Sequence, residues 1–207
     1  LILRHTIDHA RLQKRRLLRV EVEVPRICLP DWLAVQEEVP RYYWCDRKRN
    51  IEMAGIGEAH VISPEGMSPV SKAFMQIKEY LPGDNLRARY YGGFRFHFNN
   101  REDTQWQKFK RCRFVAPLIE FYREGNVCRL ACTLNDEHSR QAAQNLLDNV
   151  HFRFNNEQAP LPRFYDRTDL PAYSDWCDLV LEALADFEQT KLEKVVLARQ
   201  TVLHARE

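Results

Sequence analysis

Glycine and proline are scarce, at 7 and 10 in 207 residues, which excludes collagen-like, low-complexity and Pro/Gly-rich disordered chains. No window approaches the ~18 consecutive apolar residues that a membrane-spanning helix needs. Arg4, His5, Asp8, His9 and Arg11 interrupt any apolar stretch of a secretory leader, so a cytoplasmic protein without a membrane partner is expected. The six cysteines (28, 45, 112, 128, 132 and 177) contain no C-x-x-C. The nearest approach, Cys128 and Cys132, lies in a predicted strand that holds the sulfurs about 13 Å apart, too far for one metal ion. All six read as reduced, buried small hydrophobes. There is no Walker loop, and no Ser-His-Asp or Cys-His set can be assembled. Gly55-Ile-Gly57 lacks the third glycine and the following helical pattern of a dinucleotide fingerprint, which leaves a close-packed or bulged strand. His5 and His9 stand at i, i+4 on what reads as a frayed terminal helix, with no third ligand and no Glu between them, and are not read as a metal site.

Apolar residues make up 44% of the chain and charged residues 29%. A globular chain this long buries roughly 70% of its unfolded surface, so a core forms without disulfides or a structural metal. The net charge of +2 conceals an asymmetry. Between Asn85 and Val115 eight Lys/Arg face two acids, whereas between Asp166 and Glu193 eight acids face two bases. Aromatics interleave the basic stretch (Tyr90, Tyr91, Phe94, Phe96, Phe98, Trp106, Phe109), a pattern that suits single-stranded nucleic acid. The balanced overall charge argues for the other reading, in which Arg87, Arg89 and Arg95 are the outward residues of strands with a core face. No nucleic-acid partner is expected.

Leu18, Val20, Val22 and Val24 alternate with Arg19, Glu21 and Glu23, which predicts a half-buried strand stopped by Pro25. Pro30-Asp31 predicts a cap for a short helix, Trp32 to Glu38. Arg41–Cys45 and Ile51–Ile62 read as a hairpin around the polar 46–50 loop. Ser68-Pro69 opens a helix whose apolar positions are Val70, Phe74, Ile77 and Leu81, stopped by Pro82-Gly83. Arg87 to Phe98 reads as a strand kinked or bulged at Gly92-Gly93. A second hairpin, Arg113–Arg123 with Val127–Leu134, turns at 124–126. Asn135 or Asp136 caps a helix bearing Ala142, Leu146 and Leu147. A linker-like connection spans Asn155 to Asp169. Ser174 or Asp175 caps a last helix with Trp176, Val180, Leu184 and Phe187 on one stripe, and a strand, Lys194 to Leu203, follows. The class is α+β (α/β in the broad sense): a large antiparallel sheet with helices packed outside. The chain opens on Leu1 and ends directly after a strand, so a fragment of a larger fold is expected.

Lys194 opens an otherwise apolar strand directly after an acidic amphipathic helix. On strand parity it shares a face with Val196, Ala198, Gln200 and Val202. Lysine is seldom buried without a partner or a purpose; the plainer alternative is a lysine snorkelling at a strand end.

Lys194-Val-Val-Leu-Ala-Arg199, preceded by Trp176 and the 184–193 stretch, resembles the chorismate-utilising enzymes and, among them, the menaquinone-type isochorismate synthases. Arg41-Tyr-Tyr-Trp44 with Ala54-Gly-Ile-Gly57, Tyr91-Gly-Gly-Phe94, and Trp106 with Arg113-Phe-Val-Ala-Pro117 support the resemblance, in the expected order. It implies a longer enzyme with two large antiparallel sheets packed together and helices outside. Residues 1–168 would be the N-terminal region of that fold and 169–207 the start of its chorismate-binding catalytic domain. The implied activity is conversion of chorismate to isochorismate in menaquinone or siderophore biosynthesis: water adds at C2, the C4 hydroxyl leaves, and Mg2+ holds the substrate carboxylate. The resemblance makes Lys194 the general base on that water. It places the acid and the Mg2+ ligands beyond the lysine strand, so the fragment alone is expected to be inactive. A salicylate synthase of the same family shares the lysine and is the runner-up; a non-catalytic nucleic-acid-binding domain is the competing class. At a pKa of ~10.4 only about one lysine in 2,500 is neutral at pH 7, so a base at this position needs its pKa lowered by about 2–3 units.

Overall fold

The computed structural model describes residues 2–38, 40–64, 70–81, 87–95, 107, 109–152 and 163–205. They fall into two compact units, Leu1–Asn156 and Glu157–Glu207.

The first unit is built on an antiparallel sheet in the order β1 (Leu18–Val24), β6 (Val127–Leu134), β5 (Cys112–Glu124), β3 (Ile51–Ile62), β2 (Arg41–Cys45), with β4 (Tyr91–Phe94) also paired to β5. Both predicted hairpins form. β2 and β3 pair from Arg41↔Ile56 to Cys45↔Glu52, and β5 and β6 turn tightly at Gly125, whose φ of +56° is a glycine conformation. The period-two pattern of β1 is borne out, with Val20 packed in the core. One face of the sheet is covered by α1 (Ile2–Asp8), α2 (Leu29–Ala34) and α4 (Glu137–Asn149). Leu3, Ile7, Leu29, Trp32, Leu146 and Leu147 pack there on Val20, Ile56, Ile119, Phe121 and Leu130. Trp32 meets Phe121 edge-on at 4.8 Å, the geometry that the ring quadrupoles favour.

α4 begins at a capping box. The Asp136 carboxylate accepts from the Ser139 amide at 2.8 Å, and the Ser139 hydroxyl accepts from the Asp136 amide at 2.9 Å, so orphan donors at both ends of the first turn are satisfied. Ala143 is the buried alanine of its stripe, while Ala142 packs only partly. α1 is not the frayed turn that its terminal place suggests. Leu3 and Ile7 are buried, and Arg140 donates to the carbonyls of Ile7, Asp8 and Ala10 at 2.6–2.8 Å, supplying partners at the helix C-terminus.

Three expectations for this unit are corrected. α2 runs Leu29–Ala34 rather than Trp32 to Glu38: Cys28 is the N-cap, and Pro30 sits inside the first turn, where its missing N–H costs nothing. Of the strand expected over Arg87 to Phe98, the described residues 87–95 are laddered at Tyr91–Phe94, because Ala88 and Tyr90 instead pack beside Leu17 and Ala116, and residues 96–98 lie outside the described residues. The Gly92-Gly93 pair makes no bulge there; its register against β5 is regular. The bulge lies in β3 between Glu58 and His60, next to Gly57. α3 (Val70–Tyr80) forms as expected, whereas Ser68-Pro69, Pro82-Gly83, Trp106 and residues 155–162 lie outside the described residues.

Gly92 serves close approach rather than a kink, since a Cβ there would meet the Arg113 carbonyl oxygen at 2.0 Å, while a Cβ at Gly93 would find nothing within 4 Å. Gly92→Ala is therefore expected to destabilise the chain by about 1–3 kcal/mol and Gly93→Ala to stay within about 0.5 kcal/mol. Urea denaturation of the two variants checks this, and equal effects would contradict it.

In the second unit, β7 (Phe164–Leu170) pairs antiparallel with β8 (Gln200–Ala205), and α5 (Tyr173–Gln189) lies between them in sequence. β7 occupies the end of the segment expected to be a linker. α5 starts at Ala172 rather than at a Ser174 or Asp175 cap, which places both residues in its first turn. No residue of α5 is buried; Trp176, Val180 and Ala183 are its least exposed stripe. No helix among the described residues is long and apolar enough to cross a membrane.

Candidate functional site

Lys194 stands in the second unit, on the stretch that joins α5 to β8. The Thr190 hydroxyl donates to Asp186 O at 2.7 Å and accepts from the Leu192 amide at 3.0 Å, closing the helix. From Leu192 to Arg199 the chain then carries no ladder. The strand expected to open at Lys194 begins only at Gln200, because β7 ends its pairing at Leu170↔Gln200. The expected apolar burial is likewise absent: Lys194 is exposed, and Val196 is 79% exposed. β-branched residues give this stretch a local preference for extension, but pairing and burial require a neighbour that the described residues do not provide.

Where this stretch enters the ladder, polar side chains converge on Asp169. Thr201, its direct cross-strand partner, donates its hydroxyl at 2.6 Å. Arg167 donates Nε at 3.2 Å, and the Arg199 guanidinium lies at 3.4 Å. Arg199 Nε also donates to Pro171 O at 3.2 Å, one residue before the cap of α5. The Thr201 hydroxyl and then Arg167 hold the Asp169 carboxyl below its ordinary range.

The first unit carries a second polar constellation, on the sheet face away from the helices. Arg19 of β1 is bonded to Glu120 of β5 and to Glu21 (2.9 Å), with the Arg19 and Glu120 side chains only 2% and 1% exposed. Arg87 pairs with Glu21, and Arg129 approaches the same carboxylate at 3.4 Å. The Arg89 guanidinium lies 4.1 Å from the Tyr122 ring centroid. Burial pushes the Glu120 carboxyl above its ordinary range against the opposing pull of Arg19. For Arg19, burial pulls downward, but two carboxylates outweigh it and its pKa rises. Residues Arg87 and Arg89, read from sequence as outward strand positions, are thus engaged with an acid and an aromatic ring of this face.

Sequence reasoning missed this cluster because Arg19, Glu21 and Glu23 alternate like a solvated strand face. The available signal was Glu120, a lone acid between Leu118-Ile119 and Phe121, which needs a buried partner. Among the described residues no group of three or more His, Cys, Asp or Glu side chains could hold a metal ion. His5 and His9 are neighbours, with ring centroids 4.2 Å apart, and His9 Nδ1 lies 2.9 Å from the His5 carbonyl oxygen. All six cysteines are free; Cys112, Cys128 and Cys132 are buried as expected, but Cys28 is exposed and Cys45 and Cys177 are half-buried. Burial pushes the Cys132 thiol up to about 12, which marks it as inert packing.

The chain is 25% identical over 222 residues to isochorismate synthase 2, chloroplastic, of Arabidopsis thaliana, a match over 89% of this chain and 39% of that protein. Its fold is that of MenF, the menaquinone-specific isochorismate synthase from Escherichia coli, with a TM-score of 0.70 and 20% identity over 99% of this chain and 45% of that one. The large antiparallel sheet with helices outside is thereby confirmed. The chain spans less than half the length of either relative. A family model described as chorismate binding enzyme matches residues 3–207, and the chain belongs to that family.

Proposed function

We propose that this chain is part of an isochorismate synthase whose full-length form converts chorismate to isochorismate, with Lys194 as general base on the water that adds at C2. The observation that carries the reading is a family match running over residues 3–207, which takes in Lys194, together with a curated relative that bears this activity in its name. The Mg2+ implied by the resemblance would be held by residues other than those described, and no step is assigned to it. A cytoplasmic location and service in menaquinone synthesis belong to the same proposal, as does a catalytic region beginning at residue 169.

What this chain contributes is an amine on an extended segment, at the junction of an acidic helix and a short ladder. Only a neutral amine has the lone pair that a general base needs. The proposal therefore requires that apolar surface from the rest of the full-length protein enclose Lys194 and favour its neutral form. The test is incubation of the purified full-length protein with chorismate and Mg2+. Isochorismate as the sole product is expected; release of pyruvate would instead identify a salicylate synthase, and unchanged chorismate would remove the reading.

A further inference from the structure

We propose that Asp169 is a positioning residue for Lys194: paired with Thr201 and braced by Arg199, it locks the one β7–β8 register and so fixes where the segment bearing the lysine enters the ladder. The link to Lys194 rests on the function proposed above; the register lock does not.

The described strands and helix of the second unit contain no buried residue. Strand register is firmly set where one face is buried, because side chains alternate with a period of two and a one-residue slip turns every side chain to the other face. In β7 every residue but Asp169 is exposed, and in β8 every residue but Val202. Burial among the described residues therefore gives little basis for choosing between registers. The pairing already contains one irregularity, between Phe164 and Asp166. The polar set at Asp169 supplies the missing choice. Its carboxylate faces Thr201 directly across the ladder, at 2.6 Å from the hydroxyl. A slip of one residue in either direction would set Gln200 or Val202 opposite Asp169 and break that bond.

Arg199 adds a second tie from the same strand, to Asp169 and to Pro171 O. Together these bonds fix both the partner and the direction of the chain where the Leu192–Arg199 stretch joins the ladder. Lys194 lies on that stretch without a ladder of its own, so the register set at 199–201 anchors the end from which the stretch leaves the ladder. Charge-assisted hydrogen bonds are about twice as strong as neutral ones, which suits them to the task. The lowered carboxyl keeps Asp169 charged at neutral pH. Because its folded pKa lies below the unfolded value, the charge-dependent part of the lock, the tie to Arg199, is present above the ordinary carboxylate range and is lost as pH falls through the folded value, while the bond from Thr201 does not need the charge.

The register is read by NMR on the 207-residue chain, where cross-strand amide contacts are expected for Thr168–Val202 and Leu170–Gln200. Asp169→Ala is expected to replace this single set by a mixture shifted by one residue, or to speed amide exchange over 200–202 by about tenfold or more, while β5 amides keep their protection. Asp169→Asn, whose side-chain carbonyl still accepts from Thr201, is expected to retain the wild-type register. Thr201→Val removes the hydroxyl alone and gives the same reading should Asp169→Ala lose the second unit altogether. Unchanged contacts and exchange in Thr201→Val and in a folded Asp169→Ala would overturn the proposal. In the full-length protein, Asp169→Ala is expected to lower kcat on chorismate by about tenfold with KM unchanged and with Asn restoring it; an unaltered kcat would overturn the link to Lys194. A wild-type protein inert toward chorismate would sink the functional reading while leaving the register result to stand or fall on the amide data.

Discussion

Lys194→Ala in the full-length protein is expected to lower kcat for isochorismate formation by about 10²–10⁴-fold, the usual worth of a general base, while leaving the fold intact. The two halves of that expectation come from different observations. Lys194 makes no hydrogen bond or ion pair to any described residue, so its truncation removes no described contact, and urea denaturation reports whether the full-length fold is kept. A loss of turnover with the fold kept would therefore report chemistry rather than unfolding. Lys194→Arg separates the base from the charge, because a guanidinium keeps a cation in place but cannot give up its proton at neutral pH. It is expected to be as inactive as the alanine variant. Steady-state kinetics, with urea denaturation as the control, check both variants. Activity in Lys194→Arg within a few-fold of wild type would show that the site needs only a cation and would remove the amine from proton transfer.

The parts of this molecule that were legible in the sequence are those whose neighbours are also in the sequence. β1, both hairpins and α4 announce themselves by apolar periodicity, because each buries one face within the first unit. β7 has no such signal: Phe164-Tyr-Asp-Arg-Thr-Asp-Leu170 is exposed along nearly all its length, so no alternation betrays a strand, and it reads as a linker. The opposite error occurs at Lys194–Arg199. There Val195, Val196 and Leu197 give a local preference for extended backbone, yet no described strand pairs with them. Local propensity dictates that the stretch is extended; only a partner makes it a strand.

The lysine was legible for a different reason. Its importance rests on a resemblance spread over the chain, whereas the physics of its own neighbourhood, taken alone, is equally that of a surface residue. The Arg19–Glu120 pair reverses this. Nothing in the family resemblance singles it out, but an acid inside the apolar run of β5 demands a cation, and β1 places one two strands away, across β6. Pairs of this kind follow from topology, since Arg19 and Glu120 are 101 residues apart in sequence, and become visible only once the order β1-β6-β5 is known.

That pair yields the largest stability effect expected in the chain. Removing one partner of a buried ion pair strands the other and typically costs 3–5 kcal/mol, whereas replacing both by apolar groups of similar volume is often neutral or stabilising. Arg19 keeps a bond to Glu21 when Glu120 is lost, so Glu120→Ala belongs at the low end, about 3 kcal/mol. Arg19→Met combined with Glu120→Leu is expected to recover most of that loss, and the double-mutant cycle by urea denaturation measures the coupling. A cost below about 1 kcal/mol for Glu120→Ala would show that the pair behaves as a surface contact despite its enclosure. The pH dependence has a definite sign. Because burial raises the folded-state carboxyl of Glu120 above its unfolded value, the folded chain holds that proton more tightly. Its contribution to stability is then greatest below the ordinary carboxylate range, ~4.3, and declines as pH rises toward the raised value. Glu120→Gln, which does not titrate, should lack that decline, so the stability difference between wild type and Glu120→Gln should shift against wild type as the solution is taken from acidic toward neutral pH. A difference that stays flat over that range would mean that Arg19 compensates the burial in full and that the Glu120 carboxyl is not raised.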